Sequence, residues 1–348
     1  MCGSEVSAHD GRGEAATDSV VERLSTRWAR EVTAGAPTVR IALADGQDAR
    51  VRTAANQLAR MGVQTLLIGD PGDDLDPAVL VRPTGGRDPE AEDVLHIVAA
   101  TRGWGAARRE QCCGDPVYRA AALVRAGVAD AAVAGATAPS SDVIRAGIQV
   151  IGLRAPGGLL SSCFLMQLPR GTVLAFGDCA VVPEPDDSDL ADIAVSTART
   201  FAELTGEDPA VALLSFSTAG SATHPAVERV RRATALVIER APGLRVDGEL
   251  QFDAAFVPKV ATSKAPGSVL AGCANVFIFP DLAAGNIGYK IAQRIGGAAA
   301  YGPILQGLAA PLNDVSRGCD VDDVVNVALL SLLQARPAER PIAQQPAW

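Results

Sequence analysis

Over most of its length this chain repeats one pattern: a short apolar run, a turn, then a stretch whose apolar residues recur with helical period. VRIALADG (39–46) reads as strand and turn. QDARVRTAANQLARMG (47–62) reads as a helix with Val51, Ala54, Ala55, Leu58 and Met61 on one face. TLLIG (65–69) is the next strand, PVYRAAALVRAGV (116–128) a helix, ADAAVAG (129–135) a strand and SSDVIRAGIQVIG (140–152) a helix. VALLSFST (211–218), AVERVRRATALVIERA (226–241) and ANVFIFP (274–280) continue the alternation. Parallel strands need a crossover long enough to hold a helix, so this succession predicts a largely parallel sheet covered by helices.

The middle departs from that pattern. SSCFLMQLP (161–169) and TVLAFGDCAVVP (172–183) are separated by the turn residues RG and are expected as an antiparallel hairpin. DLADIAVSTARTFAELTG (189–206) follows as a long helix, and the end reads as a strand, GPILQGLAAP (302–311), then a helix, CDVDDVVNVALLSLLQA (319–335).

The chain has 348 residues, enough for about two domains at ~150 residues each. Its net charge of −9 argues against non-specific nucleic-acid binding, which needs a basic face. A small anion is still open to it, because a few local arginines can outweigh the global field. No apolar run reaches the ~18 residues of a membrane span. The N-terminal MCGSEVSAHDGRGEAATDS lacks the basic start and apolar core of a secretory signal and reads as a disordered tail. Seven cysteines without a CxxC, and only three histidines, point to free thiols in a reducing cytoplasm and to no metal site.

Four stretches could carry chemistry. In NDVSRGCDVDD (313–323), Asp320 and Asp323 have the spacing of a helix capping box. That leaves SRG unexplained. A helix N-terminus preceded by glycine and arginine is also an anion site. Arg317 adds a planar donor fork, Ser316 a hydroxyl donor and Asp323 a carboxylate base. SFSTAGSATHP (215–225) is a small-residue loop at a strand end, where open α/β sheets bind ligands, or else a plain turn with His224 at the helix entry. GATAPSSDVIR (135–145) has the same form, with Arg145 one turn into the helix. In FIFPDLAAGNIGYKIAQRIGG (277–297), Lys290 and Arg294 share one helix face. Solvated faces would explain any one of these cations; together they favour a small, multiply anionic ligand.

GELQFDAAFVPKVATSKAPGS, AGCANVFIFPDLAAGNIGYKIAQR, YGPILQGLAAPLNDVSRGC and LLSFSTAGSA are similar to the phosphotransacetylase family, and the resemblance runs from about residue 38 to about residue 335. It implies two α/β domains with mostly parallel sheets, an active-site cleft between them, and a homodimer. The expected bounds are a weakly ordered tail over 1–36, a discontinuous first domain over 37–154 plus 305–348, and a second over 155–304. The implied reaction moves an acetyl group reversibly between coenzyme A and inorganic phosphate, with no metal and no cofactor other than coenzyme A as substrate.

The resemblance assigns Asp323 as the base for the coenzyme A thiol, Ser316 to the developing oxyanion, and Arg317 and Arg294 to the phosphate. Arg145, Ser141, Lys290, Ser217, Gly220, Ser221 and Asn313 are expected to contact substrate. Two cations of the family are absent: Ala99 stands where an arginine contacts coenzyme A, and Ala219 where a lysine is usual. Ala138 and Pro139 replace polar residues before Arg145, and Arg102 is a candidate substitute for the lost arginine. Three other readings remain: a metal-dependent hydroxyacid dehydrogenase of similar architecture, a transferase for another acyl group, and a non-catalytic acyl-coenzyme A sensor.

Overall fold

The computed structural model describes residues 22–34, 39–70, 72, 74–84 and 87–336. Helix α1 (Leu24–Thr33) precedes the first α/β unit, which runs β1 (Arg40–Leu43), α2 (Ala49–Arg60), β2 (Gln64–Ile68), β3 (Leu80–Arg82), α3 (Pro89–Arg102), α4 (Ala106–Gly114), α5 (Pro116–Arg125), β4 (Ala131–Ala134) and α6 (Ser140–Ala146). α6 runs on into a π-helical turn, Gly147–Ile151. The second unit holds β5 (Ser161–Gln167), β6 (Val173–Gly177), α7 (Asp187–Thr205), β7 (Ala210–Leu214), α8 (Pro225–Arg240), β8 (Arg245–Leu250), α9 (Phe252–Phe256), α10 (Pro258–Lys264), β9 (Val276–Ile278), α11 (Leu282–Arg294) and β10 (Ala299–Gln306). The chain then returns to the first unit with β11 (Leu312–Asp314) and α12 (Val321–Gln334).

The first sheet is parallel throughout, in the order β11-β4-β1-β2-β3. Its interior strand β4, AAVA, is buried along its whole length because helices cover both faces. The second sheet has the order β10-β5-β6-β9-β7-β8. The expected hairpin forms it: β5 is antiparallel to β6, and β10 adds antiparallel to the other side of β5. β6, β9, β7 and β8 run parallel. The two crossings between units lie side by side: the Arg154 N–H donates to the Gly307 carbonyl at 2.8 Å and the Ala309 N–H to the Gly152 carbonyl at 2.9 Å.

Three expectations need correction. The weakly ordered segment expected over 1–36 contains α1; residues 1–21 and 35–36 of it lie outside the described residues. Leu24, Trp28 and Val32, spaced at helical period, are buried, and the Trp28 indole donates to the Leu204 carbonyl at 3.0 Å. The polar residues before that stripe masked it. GPILQGLAAP is not one strand: β10, in the second sheet, ends at Gln306, and β11, which joins the first sheet, begins only at Leu312. Cys112, Cys113, Cys163, Cys179 and Cys319 are free thiols, but Cys273 is disulfide-bonded, which cysteine spacing alone could not reveal. Among the described residues, no helix is long and apolar enough to cross a membrane.

Candidate active site

The SRG stretch is a tight turn between β11 and α12. The Cys319 N–H closes it on the Ser316 carbonyl at 2.8 Å, leaving Ser316, Arg317 and Gly318 exposed at its crest. Asp320 and Asp323 do form the capping box: the Asp323 N–H donates to Asp320 Oδ1 at 2.8 Å, and the Asp320 N–H to Asp323 Oδ2 at 3.1 Å. One Asp323 oxygen therefore caps the helix while the other makes no hydrogen bond among the described residues. Capping and base catalysis are compatible in one side chain.

Arg50, near the start of α2, clamps this turn from behind. Its guanidinium donates to the Arg317 carbonyl at 2.9 Å, the Cys319 carbonyl at 2.8 Å and the Ala136 carbonyl at 3.1 Å. Asp48, at 2.8 Å, pairs with it, holding the arginine more firmly protonated and its own carboxyl below the usual range. Sequence reasoning missed Arg50. The signal was ADGQDARV, where an acid and an arginine two residues apart open a helix at a strand end. The Cys319 thiol beneath the turn is buried, which pushes its pKa up and keeps it from acting as a thiolate.

Asp323 is exposed, but partial desolvation pushes its carboxyl above the usual range; the Asp320 N–H and the Arg294 cation oppose this, and the neighbouring charges of Asp320 and Asp322 add to it. Arg294 ends α11 and is exposed, so the carboxylate and the cation that acts on it come from different units. Lys290, one turn earlier, donates to Asn286 Oδ1 at 2.7 Å.

From the first unit, α6 supplies Ser141, exposed in its first turn, and Arg145, paired with Asp142 at 2.5 Å. Beside Arg145 lies a second cation that sequence reasoning passed over. Arg108 rests against the rings of Trp104 and Tyr118, 5.6 and 5.4 Å from their centroids, and donates to the Tyr118 oxygen at 2.8 Å. Arg108 and Arg145 both act on the Tyr118 hydroxyl electrostatically. Arg102 is committed elsewhere, donating to the Gln149 and Ile148 carbonyls that the π-helical turn leaves open, at 2.9 and 3.0 Å. Ala99 is only 3% exposed, inside α3.

Four expected contacts lie away from this constellation. Asn313 is fully buried. Its Oδ1 accepts the Leu305 N–H at 2.7 Å, and its Nδ2 donates to Ser331 Oγ at 2.8 Å and Gln334 Oε1 at 2.7 Å, so it joins the two units rather than meeting substrate. Ser217, Gly220 and Ser221 belong to a loop organised around Glu249. That carboxylate accepts the Ser217 hydroxyl at 3.0 Å, the Gly220 N–H at 2.9 Å and Arg231 Nε at 2.7 Å. Burial works against its ionisation, but Arg231 and these donors hold its pKa down to about 2. Gly220 has φ +88°, a left-handed conformation that favours glycine. His224 caps α8, its Nδ1 accepting the Ala226 N–H at 3.1 Å.

The same loop also sits at the wrong end of α11. The register of β7, β9 and β6 sets Leu213 level with Gly177 and so places Ser215 at the same sheet edge as Cys179, whose carbonyl accepts a hydrogen bond from the α11 residue Asn286 at 3.0 Å. The other end of α11 reaches the hairpin turn, where Gly297 faces Pro169. Thirteen residues of helix, ~20 Å at 1.5 Å per residue, separate the loop's edge from Arg294.

An exposed serine–arginine turn at a helix N-terminus, a carboxylate of raised pKa and exposed arginines on both α/β units are the groups a transferase with an anionic substrate would use. The chain belongs to the phosphate acetyl/butaryl transferase family, whose model matches residues 26–332, and it is an acyltransferase of that family. It is 48% identical over 304 residues to a phosphate acetyltransferase of Paracoccus denitrificans, covering 85% of this chain and 95% of that protein. It is 41% identical over 313 residues to one of Acetivibrio thermocellus, covering 85% and 94%. Among solved structures, EutD phosphotransacetylase from Staphylococcus aureus superposes with a TM-score of 0.81 at 39% identity, covering 90% of this chain and 98% of that one. At 17% identity, a branched-chain phosphotransacylase from Enterococcus faecalis shares the fold, with a TM-score of 0.68.

Proposed function

We propose that this chain is a phosphate acetyltransferase, converting acetyl-coenzyme A and phosphate to acetyl phosphate and coenzyme A, and the reverse, with no cofactor beyond its substrates. The observation that carries the mechanism is the exposed Ser316–Arg317 turn just before the helix that Asp323 caps, with one Asp323 oxygen making no hydrogen bond among the described residues. In the direction of coenzyme A acetylation, Asp323 takes the thiol proton and the thiolate attacks the carbonyl carbon of acetyl phosphate. Ser316 donates to the carbonyl oxygen as negative charge develops there. Arg317 and Arg294 hold the phosphoryl oxygens, and phosphate departs as the tetrahedral centre collapses. Holding two substrates in one cleft supplies much of the rate.

The dehydrogenase reading loses its support at the acidic cluster, because Asp320 and Asp323 are engaged with each other's backbone N–H groups. The reading includes a homodimer, supported by Ile287 and Ile291 on α11 and Ile295 at its C-cap, four residues apart and 58%, 53% and 83% exposed. Thiol release from a panel of acyl-coenzyme A esters, with and without phosphate, tests the function. Phosphate-dependent release strongest with the acetyl ester supports it. Release strongest with a longer ester would reassign the acyl group, and none with any ester would leave the sensor reading.

A further inference from the structure

Asp314, the last residue of β11, lies two residues before Ser316 and is 3% exposed. Its Oδ2 accepts the hydroxyl of Ser140, the first residue of α6. Its Oδ1 is buried without a hydrogen-bond partner. Room for that oxygen exists only because residue 135 is glycine: a Cβ there would fall 2.1 Å from Oδ1 and 2.5 Å from the Val315 carbonyl oxygen. The loop leading into α6 is gripped from its other side by Asp45, also buried. Asp45 accepts the Gly135 and Ala136 N–H groups, both at 3.1 Å, and the Thr137 hydroxyl.

We propose that Asp314 is a positioning residue: through Ser140 it fastens the N-terminus of α6, which carries Ser141 and Arg145, to the Ser316–Arg317 turn, so that both halves of the first unit's anion cradle move as one body. This deepens the transferase reading and rests on it for the identity of the anion. A purely structural tie here would be better served by a neutral side chain, because a buried carboxylate with an unpartnered oxygen destabilises the fold. Functional groups are where such a cost is retained.

The charged and titratable groups around Asp314 do not neutralise it. Asp45, from the loop after β1, adds a second negative charge, while Gly135 and Ser140, from the loop after β4 and from α6, offer no cation. Arg50 lies beyond, donating to the Ala136 carbonyl. Burial, opposed by the Ser140 hydrogen bond and reinforced by Asp45, raises Asp314 to about 6. A raised pKa gives stability that is present below the unfolded value near 3.8 and is lost as pH rises through about 6. Above pH 6 the carboxylate grips Ser140 hardest and costs the fold most.

The test titrates inorganic phosphate by calorimetry into wild type, Ser140→Ala, Asp314→Ala and the double variant that combines these two, and records Tm of wild type and Asp314→Asn from pH 5 to 8. Ser140→Ala and Asp314→Ala are each expected to weaken phosphate binding about tenfold, with the double variant no weaker than either, because each removes one end of the same hydrogen bond. Asp314→Asn should melt above wild type at pH 8, with the advantage shrinking toward pH 5. Unchanged phosphate affinity in both single variants, multiplicative losses in the double, or a lower Tm for Asp314→Asn at pH 8 would each overturn the proposal. The readout involves no turnover, so failure of the transferase reading is seen separately, as absent thiol release with phosphate affinity intact.

Discussion

The Arg294 guanidinium, at the end of α11, lowers the pKa of the Asp323 carboxyl at the start of α12, against the burial that raises it. The two residues come from different units, so this electrostatic link holds only while the cleft is assembled. Arg294→Gln removes the opposing cation. The Asp323 pKa should rise further, and the acid limb of kcat/KM should move to higher pH, because the base must be ionised to act. A limb at its wild-type position would show that Arg294 does not act on the base.

Arg317 presents its side chain at the crest of a turn whose backbone is already fixed, so its substitution should spare the fold. Arg317→Lys keeps the charge and loses the fork. The expected result is at least a tenfold loss of kcat/KM with acetyl phosphate and a Tm within about 1 °C of wild type, the size of change usual for a surface substitution. Near-wild-type kinetics would remove Arg317 from the phosphate.

Arg50 touches no substrate in this scheme, yet its guanidinium holds two carbonyls of the SRG turn. Arg50→Ala should lower kcat by about 10- to 100-fold through displacement of Ser316, since an error of ~1 Å can cost that much. Arg50→Lys can restore the charge but not all three carbonyl contacts and should recover only part of the loss. Full activity in Arg50→Ala would mean that the turn holds its own shape.

The fold was largely legible from periodicity, because strands buried on both faces and helices with one apolar face leave different patterns, as in β4 and α2. The SRG turn stood out in the sequence because a helix cap does not need those residues. What stayed hidden depended on tertiary partners. Arg50 and Asp314 look like ordinary loop-flanking residues until the turn folds between them. Asn313 is polar and adjacent to the motif, but its hydrogen bonds join β10 to α12. Ala99, expected where the family has an arginine, lies on the buried face of α3.

The burial of Ala99 means that an arginine cannot simply be put back there. Ala99→Arg would force a guanidinium into a site 3% exposed, at a cost of several kcal/mol, and should lower Tm sharply without improving coenzyme A binding. Arg108, clipped between Trp104 and Tyr118 next to Arg145, is the better candidate for the coenzyme A phosphates. A charge-assisted hydrogen bond contributes ~1.5–3 kcal/mol, so Arg108→Ala should raise the KM for coenzyme A about tenfold to a hundredfold. A KM unchanged in Arg108→Ala assigns the contact elsewhere.

Asp323 caps α12 and is the base in the proposed mechanism, and one substitution separates the roles. Asparagine keeps the acceptor for the Asp320 N–H, so Asp323→Asn should cost ~1 kcal/mol or less of stability. It cannot take a thiol proton, so kcat for acetyl transfer from acetyl phosphate to coenzyme A should fall ~100-fold or more. The decisive measurement is that kcat beside the Tm of the same preparation: a folded variant with turnover lost is the result predicted here, and a folded variant with kcat unchanged would contradict it.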